Sequence, residues 1–147
     1  MKWVSFHCRG LASPSKKLAL KRLLDCEPCD TIFLQETLGI AEKISQTLQS
    51  LKPGWILHAL DVLGKSGGIS LGVNPHTIKT ISAWGGHGFL GLDIFSTELG
   101  RNLCIINIYA SNHSRLYFWH KLLRHSLIDN STILGRYLNF TIGHEES

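Results

Sequence analysis

The stretch Thr31–Glu36 is the part of the sequence best suited to present a functional group. Three apolar residues, Ile-Phe-Leu, separate Thr31 from the polar group Gln-Glu-Thr, which ends with Thr37. β-Branched and aromatic residues in such a run favour a buried strand, and a buried strand holds its last side chain firmly. A carboxylate in that place, Glu36, suits a hard cation such as Mg²⁺, which prefers oxygen ligands. The same glutamate can equally be an ordinary surface acid, so its function depends on the partners that the fold supplies.

Two of the four cysteines, Cys26 and Cys29, form a C-x-x-C motif. Such a motif can be a redox pair or one half of a zinc site. Zinc needs about four ligands, and no second C-x-x-C completes the set. A redox pair usually opens a helix, where the helix dipole lowers the thiol pKa, whereas this motif lies between the end of a predicted helix and a strand. The position favours incidental loop cysteines.

Hydrophobic periodicity predicts the elements that must position these residues. Ser13-Pro14 is a good helix start, with serine as N-cap and proline in the first turn. A second amphipathic helix is predicted from Ala41 to Leu51, and a third from Arg115 to Leu127. The predicted apolar face of the third helix consists of Leu116, Trp119, Leu123 and Leu127.

Eight strands are predicted between and after these helices, separated by glycine-rich or Asn/Pro-containing turns. They are Trp3–Cys8, Asp30–Glu36, Trp55–Leu60, Gly68–Val73, Ile78–Trp84, Leu90–Phe95, Leu103–Tyr109 and Ser131–Gly135. The order βαβα, then a block of strands, then αβ predicts one α/β domain with a mixed sheet over residues 1–147.

Composition narrows the class of protein. The chain has 147 residues, of which 44% are hydrophobic and 18% charged, as is ordinary for one soluble globular domain. Its 15 Lys and Arg against 11 Asp and Glu permit a polyanionic partner without requiring one. No apolar run has the length of a signal peptide or a membrane span. The sequence therefore predicts an intracellular protein, nuclear or cytoplasmic and not secreted.

Several short segments follow one another in a characteristic order. They are SFHCRGL at 5–11, QET at 35–37, SGG at 66–68, NIYASN at 107–112, Arg115 with FW at 118–119, and ILGRYLNF at 133–140. No segment is specific alone, but their order and spacing resemble the endonuclease/exonuclease/phosphatase family with a DNase I-like fold. More narrowly, the series is similar to the endonuclease domain of plant LINE-type (non-LTR) retrotransposons. The resemblance implies a four-layer α/β sandwich, here incomplete because the family's last strands are missing.

The resemblance also implies a site that cleaves DNA phosphodiesters with Mg²⁺ or Mn²⁺ at the ends of the strands. It places Glu36 as the metal ligand, Tyr109 as a support for the phosphate, and Asn139 among the residues that orient the attacking water. His7 stands where the family has an asparagine that contacts the metal site or the phosphate. Hydrolysis develops negative charge on phosphate oxygens, so it needs a cation, hydrogen-bond donors and a base that aligns water.

Three departures from the family's pattern predict a weakened site. Imidazole, at His7, prefers softer ions than Mg²⁺ and lacks the amide's simultaneous acceptor and donor. Tyr137 replaces the aspartate of the family's G-D-x-N motif, and a phenol with an ordinary pKa near 10 is a poor base at neutral pH. A Ser-Asp-His segment has no counterpart, since His144 lacks the preceding aspartate.

Three hypotheses follow. The first is a degenerate, inactive or strongly impaired remnant of a Mg²⁺-dependent DNA endonuclease domain. The second is a working phosphodiesterase rebuilt around His7, Glu36, Tyr109 and Asn139, which requires those side chains to converge on one cleft. The third is a catalytically dead module that binds nucleic acid or protein.

The third hypothesis draws on a basic helix face that can follow a phosphate backbone, although such a face is more often merely the solvated side of a helix. That face consists of Lys16, Lys17, Lys21 and Arg22.

Overall fold

A computed structural model of the chain describes residues 1–60, 68–86, 88–110, 115–125 and 131–138. In these ranges the chain forms three helices: α1 (Pro14–Cys26), α2 (Ala41–Leu51) and α3 (Arg115–His125). It also forms the strands β1 (Trp3–His7), β2 (Thr31–Gln35), β3 (Ile56–Leu60), β4 (Ile69–Val73), β5 (Ile78–Gly86), β6 (Phe89–Ser96), β7 (Arg101–Ala110) and β8 (Thr132–Leu138). Every predicted element is present, with bounds that differ by a few residues.

The strands pair into two sheets of four. The first has the order β1-β2-β4-β3 and the second the order β5-β6-β7-β8. Each sheet is mixed, because β1 pairs with β2 in parallel and β7 pairs with β8 in parallel, while the other pairs are antiparallel. The parallel registers set His7 opposite Gln35 and Tyr109 opposite Tyr137. The carboxyl ends of parallel strands share one edge of a sheet, so the residues after β1 and β2 are brought together.

Three apolar cores separate four layers. Helices α1 and α2 cover the outer face of the first sheet, where Leu24 and Leu48 are buried in one cluster with Ile32. The inner faces of the two sheets meet around a second cluster that includes Phe33. Helix α3 covers the outer face of the second sheet, where Phe118 lies in the third cluster. This arrangement is the four-layer α/β sandwich that the sequence predicted.

The local sequence explains where α1 begins. Ser13 has an extended backbone, and its Oγ accepts a hydrogen bond from the Lys16 amide at 3.2 Å, with Pro14 in the first turn. This confirms the predicted helix start. The helices have 13, 11 and 11 residues, and no helix in the described ranges combines the length and apolarity needed to cross a bilayer.

The buried face of α3 is the predicted one only in part, because Trp119 packs against the third cluster while Leu116 and Leu123 are exposed. The prediction comprised Leu116, Trp119, Leu123 and Leu127, of which the last lies outside the described residues. Leu116 is 78% exposed and Leu123 is 55% exposed, whereas Phe118 and Leu122 are 7% and 0% exposed. Both sets recur at helical spacing, so periodicity alone cannot choose between them. Packing against the second sheet determines which residues are buried, because Phe118 packs edge-on against Phe89 with ring centroids 6.1 Å apart.

Candidate functional site

Glu36 lies directly after β2, where the chain leaves the first sheet with an unusual backbone conformation. Its φ angle is 52°, and the other described non-glycine residues with positive φ, Arg9 at 49° and Leu38 at 53°, lie in the same corner of the molecule. A non-glycine residue in the left-handed region costs on the order of 1 kcal/mol or more, and it persists only where the surroundings impose it. Such strain concentrates at functional sites.

Backbone hydrogen bonds impose that conformation by tying the loops after β1 and β2 together. The bonds run from the amides of Cys8, Gly10 and Leu11 to the carbonyls of Gln35, Glu36 and Thr37, at 2.8, 2.8 and 3.0 Å. The Thr37 amide also donates to the Gly68 carbonyl at 3.0 Å. Gly68 has a φ of +83°, and a Cβ added there would lie 2.5 Å from Thr37 Oγ1. Only glycine fits this close approach, so the turn that carries Glu36 is held from both sides.

His7 meets Glu36 in this corner. The imidazole Nε2 donates a hydrogen bond to Glu36 Oε2, with the two atoms 2.5 Å apart and the side chains 19% and 21% exposed. The Tyr109 ring lies beside His7, with ring centroids 6.4 Å apart and an interplanar angle of 26°. Residues from β1, from the turn after β2 and from β7 therefore converge on one edge of the sandwich.

The remaining positions of interest lie in β8 or directly after it. Asn139 lies outside the described residues. Tyr137 pairs in register with Tyr109 across β7 and β8, so position 137 reaches the same edge of the second sheet as Tyr109. The structure therefore brings His7, Glu36 and Tyr109 together, and the four-residue site of the rebuilt-site hypothesis stays a prediction.

A buried amide pair joins the two sheets beneath this edge. Gln35 Nε2 donates to Asn107 Oδ1 at 2.8 Å and to Ser5 Oγ at 3.0 Å. Asn107 Nδ2 donates to the carbonyls of Leu34 and Ser70, at 2.9 and 2.8 Å. The two amide side chains are 1% and 0% exposed, and each amide N–H has an acceptor. A fully satisfied buried pair of this kind stabilises one relative position of the sheets.

The sequence did not predict this structural role. The available signal was an amide in an otherwise apolar strand, since Asn107 lies between Ile106 and Ile108, both 0% exposed. The pair fixes β2 against β7, and those two strands carry Glu36 and Tyr109 at their ends.

The cysteines do not form an activated site in the described structure. Cys26 ends α1 and Cys29 precedes β2; both are free thiols. Burial raises the pKa of Cys29, which is the opposite of the lowered pKa of a redox thiol. Burial raises the pKa of Cys8, beside His7, to about 12. Within the described ranges, no group of three or more His, Cys, Asp or Glu side chains could hold a metal ion.

A cleft of about 540 Å³ lies elsewhere, between α2, β3 and β5, and its lining includes Glu42, His58 and Trp84. Burial lowers the pKa of His58. None of His7, Glu36 and Tyr109 lines this cleft, so its volume says nothing about the corner where the predicted site residues meet.

No family model and no curated protein matches the chain. Solved structures do match. The human Nocturnin catalytic domain with bound sulfate has 14% identity and a TM-score of 0.63, over 83% of this chain and 56% of that one. A Bacteroides thetaiotaomicron mannosyl-6-phosphatase has 10% identity and a TM-score of 0.66, over 91% and 63%. The D. rerio TDP2 complex with a single-strand DNA product has 16% identity and a TM-score of 0.62, over 89% and 57%.

At these identities the likeness shows the fold alone. A further match is named as an endonuclease/exonuclease/phosphatase family protein, with a TM-score of 0.64, so the predicted DNase I-like fold is confirmed. The chain spans less than two thirds of the length of these four solved structures, from 56% to 63%. The narrower resemblance to plant retrotransposon endonucleases stays a prediction.

Proposed function

We propose that this chain is a DNase I-like phosphodiesterase domain that binds DNA and whose hydrolytic activity is strongly impaired. The observation that carries the proposal is the 2.5 Å contact between His7 Nε2 and Glu36 Oε2. The resemblance assigns a Mg²⁺ ion to this carboxylate, and Mg²⁺ demands oxygen ligands. Here the carboxylate faces a nitrogen donor, and the described structure offers no second carboxylate beside it. An imidazole in place of the family's amide oxygen therefore leaves this corner a poorer Mg²⁺ site than the one the resemblance implies.

The second sheet supports the same conclusion. Tyr137 occupies the position that the resemblance assigns to an aspartate, and its backbone lies opposite Tyr109 at the edge of the sandwich. A phenol with an ordinary pKa near 10 stays protonated at neutral pH. It therefore cannot take a proton from water as a carboxylate would.

DNA is the proposed ligand because of the fold's relatives and this chain's own charge. Two of the matched structures contain DNA: the TDP2 complex with a single-strand product and the Neisseria 3′ phosphatase NExo with a product DNA hairpin. This chain has a formal net charge of +4. Lys17 and Arg22 are exposed on α1, while Lys21 is paired with Asp25 at 2.7 Å. Such cations contact phosphates without reading sequence.

The test is a nicking assay on supercoiled plasmid DNA with Mg²⁺ or Mn²⁺. The unaltered chain is expected to leave the plasmid intact. The double variant His7→Asn/Tyr137→Asp, which restores two of the family's residues but not its Ser-Asp-His segment, is expected to nick it slowly. Adding Glu36→Gln to that variant should abolish nicking and exclude a contaminating nuclease. Nicking by the unaltered chain that is lost on Glu36→Gln would overturn the proposed impairment.

A second candidate function is binding without any catalysis, by a domain that kept only the scaffold. The exposed cations of α1 favour it. Fluorescence anisotropy with a labelled oligonucleotide at two salt concentrations tests it, because phosphate contacts release counterions and weaken steeply with salt. Lys17→Glu/Arg22→Glu is expected to weaken binding, with Lys43→Glu/Lys79→Glu, at exposed lysines on α2 and β5, as the charge-matched control. Absence of binding at low salt would reject both candidates.

A further inference from the structure

We propose that Leu38 and Ile40 form an apolar tip that inserts against unstacked bases of DNA, so that the domain prefers DNA with a bulged step over a fully paired duplex. The inference rests on the proposed function in taking DNA as the ligand, and it adds which form of DNA is bound best. It requires no metal and no catalysis, so it is tested separately from the nicking assay.

Both side chains of the apolar tip are exposed beside the candidate site. Leu38 is 38% exposed and Ile40 is 50% exposed, and both follow Glu36 closely in the chain. Leu38 lies over Gly10 of the facing loop, since a Cβ added to that glycine would lie 3.5 Å from Leu38 Cδ1. Backbone hydrogen bonds tie this loop to the turn that carries Glu36. The leucine is therefore held in place while part of its side chain faces solvent.

The residue types at both positions depart from those that the local backbone favours. Leu38 has a φ of 53°, a conformation that suits glycine or asparagine and is strained for leucine. Ile40 is the N-cap of α2, with an extended backbone, where Ser, Thr, Asp or Asn is preferred because its side chain can bond the helix amides. Two departures that each cost stability and each expose an aliphatic side chain are typical of a functional surface.

The surroundings of the apolar tip favour DNA over a protein partner. Arg9 is exposed in the facing loop. Burial raises the pKa of the Cys8 thiol to about 12, while the charge of Lys16 lowers it and that of Glu36 raises it, so both charges lie near that thiol. Two aliphatic side chains cover far less than the roughly 800 Å² per partner of a stable protein interface. Single apolar residues do insert between base steps of DNA, with neighbouring cations on the phosphates.

Insertion determines which form of DNA is bound best. An aliphatic side chain can enter a regular duplex only after two neighbouring base pairs are unstacked. A bulge already lacks part of that stacking, so insertion there costs less. Cations that contact phosphates carry no such information. A preference for the bulged duplex therefore reports the apolar tip and not the net charge.

Fluorescence anisotropy in EDTA measures this preference with two labelled duplexes of equal length, one fully paired and one with a central bulge. The unaltered chain is expected to bind the bulged duplex about tenfold more tightly. The double variant Leu38→Asn/Ile40→Ser should lower that ratio to about twofold or less, and it should still bind the paired duplex because it keeps every cation. Leu99→Asn is the matched control, because Leu99 is 49% exposed in the turn between β6 and β7, away from the site. It should leave the ratio unchanged.

Misfolding does not produce the expected result. Asparagine suits a φ of 53° better than leucine, and serine is a preferred N-cap, so the double variant should unfold at a temperature at least as high as that of the unaltered chain. Leu38→Met/Ile40→Val keeps both side chains apolar and should keep the preference.

The proposal is overturned if the unaltered chain binds both duplexes equally, or if the double variant keeps the full preference. Absence of binding to either duplex is a different result, because it would reject DNA as the ligand and with it both the proposed function and this inference.

Discussion

Two side-chain pairs that meet at the end of β2 have opposite character. Gln35 and Asn107 are neutral, at most 1% exposed, and fully hydrogen-bonded between the sheets. His7 and Glu36 are ionisable, about one-fifth exposed, and joined by a single short contact. Neutral amides can be buried if every donor is satisfied, whereas a buried charge carries a much larger desolvation cost.

The difference separates a pair that stabilises the fold from a pair at the proposed functional site. The amide pair spans the two sheets and has no route to a ligand. The His7–Glu36 pair lies at an edge of the sandwich, with Glu36 on strained backbone and both side chains about one-fifth exposed. In the Gln35–Asn107 pair every amide N–H has an acceptor. The His7–Glu36 pair includes His7, which stands where the resemblance places an asparagine.

Removing the buried amide of Asn107 is the most severe test of the contrast between the two pairs. Asn107→Leu would remove the acceptor of a Gln35 N–H group and the donor to the carbonyls of Leu34 and Ser70. The expected loss in the free energy of unfolding is about 3 kcal/mol, since each buried unsatisfied group costs about 1–3 kcal/mol. Urea unfolding followed by circular dichroism measures it.

Ser70→Ala is the matched control for that variant. The Ser70 Oγ is buried and has no hydrogen-bond partner within the described part of the chain, so its removal should change stability by less than about 0.5 kcal/mol. Equal losses from Asn107→Leu and Ser70→Ala would show that the amide pair has no special structural role.

A smaller loss in the free energy of unfolding is expected for a substitution at Gly135, where β8 packs on the inner core. A Cβ added at Gly135 would lie 2.2 Å from Phe33 Cδ1, and Phe33 is 0% exposed and cannot swing away. Gly135→Ala should therefore lower the free energy of unfolding by about 2 kcal/mol, because it overpacks the core. Adding Phe33→Leu to that variant should cost less than the two single losses combined, because the smaller side chain removes the clash. Additive losses in a double-mutant cycle would contradict this.

The smallest effect is expected at Glu36, where the stabilities of two variants are compared with each other. Glycine adopts a φ of 52° without strain, so Glu36→Gly should be more stable than Glu36→Ala by about 1 kcal/mol. Both variants lose the His7 contact, so their difference isolates the backbone. Thermal and urea unfolding measure it, and a Glu36→Ala variant at least as stable as Glu36→Gly would show that the turn is unstrained.

Much of the fold could be predicted because its signals are local. The Ser13-Pro14 start, the apolar run before Glu36 and the glycine-rich turns each constrain the backbone within a few residues. The buried face of α3 could not be predicted in the same way. Leu116 and Phe118 both repeat in helical phase, and only the position of Phe89 beneath the helix distinguishes them.

The candidate site could likewise be predicted only in part. The sequence determined the order of the elements, the strand that ends at Glu36 and the presence of an imidazole at position 7, because residue type and spacing set them. Only the tertiary structure brought His7 to Glu36 across 29 positions and Gln35 to Asn107 across 72. The reason is physical: periodicity encodes which backbone each segment adopts, while side-chain partners across strands and sheets depend on register and packing.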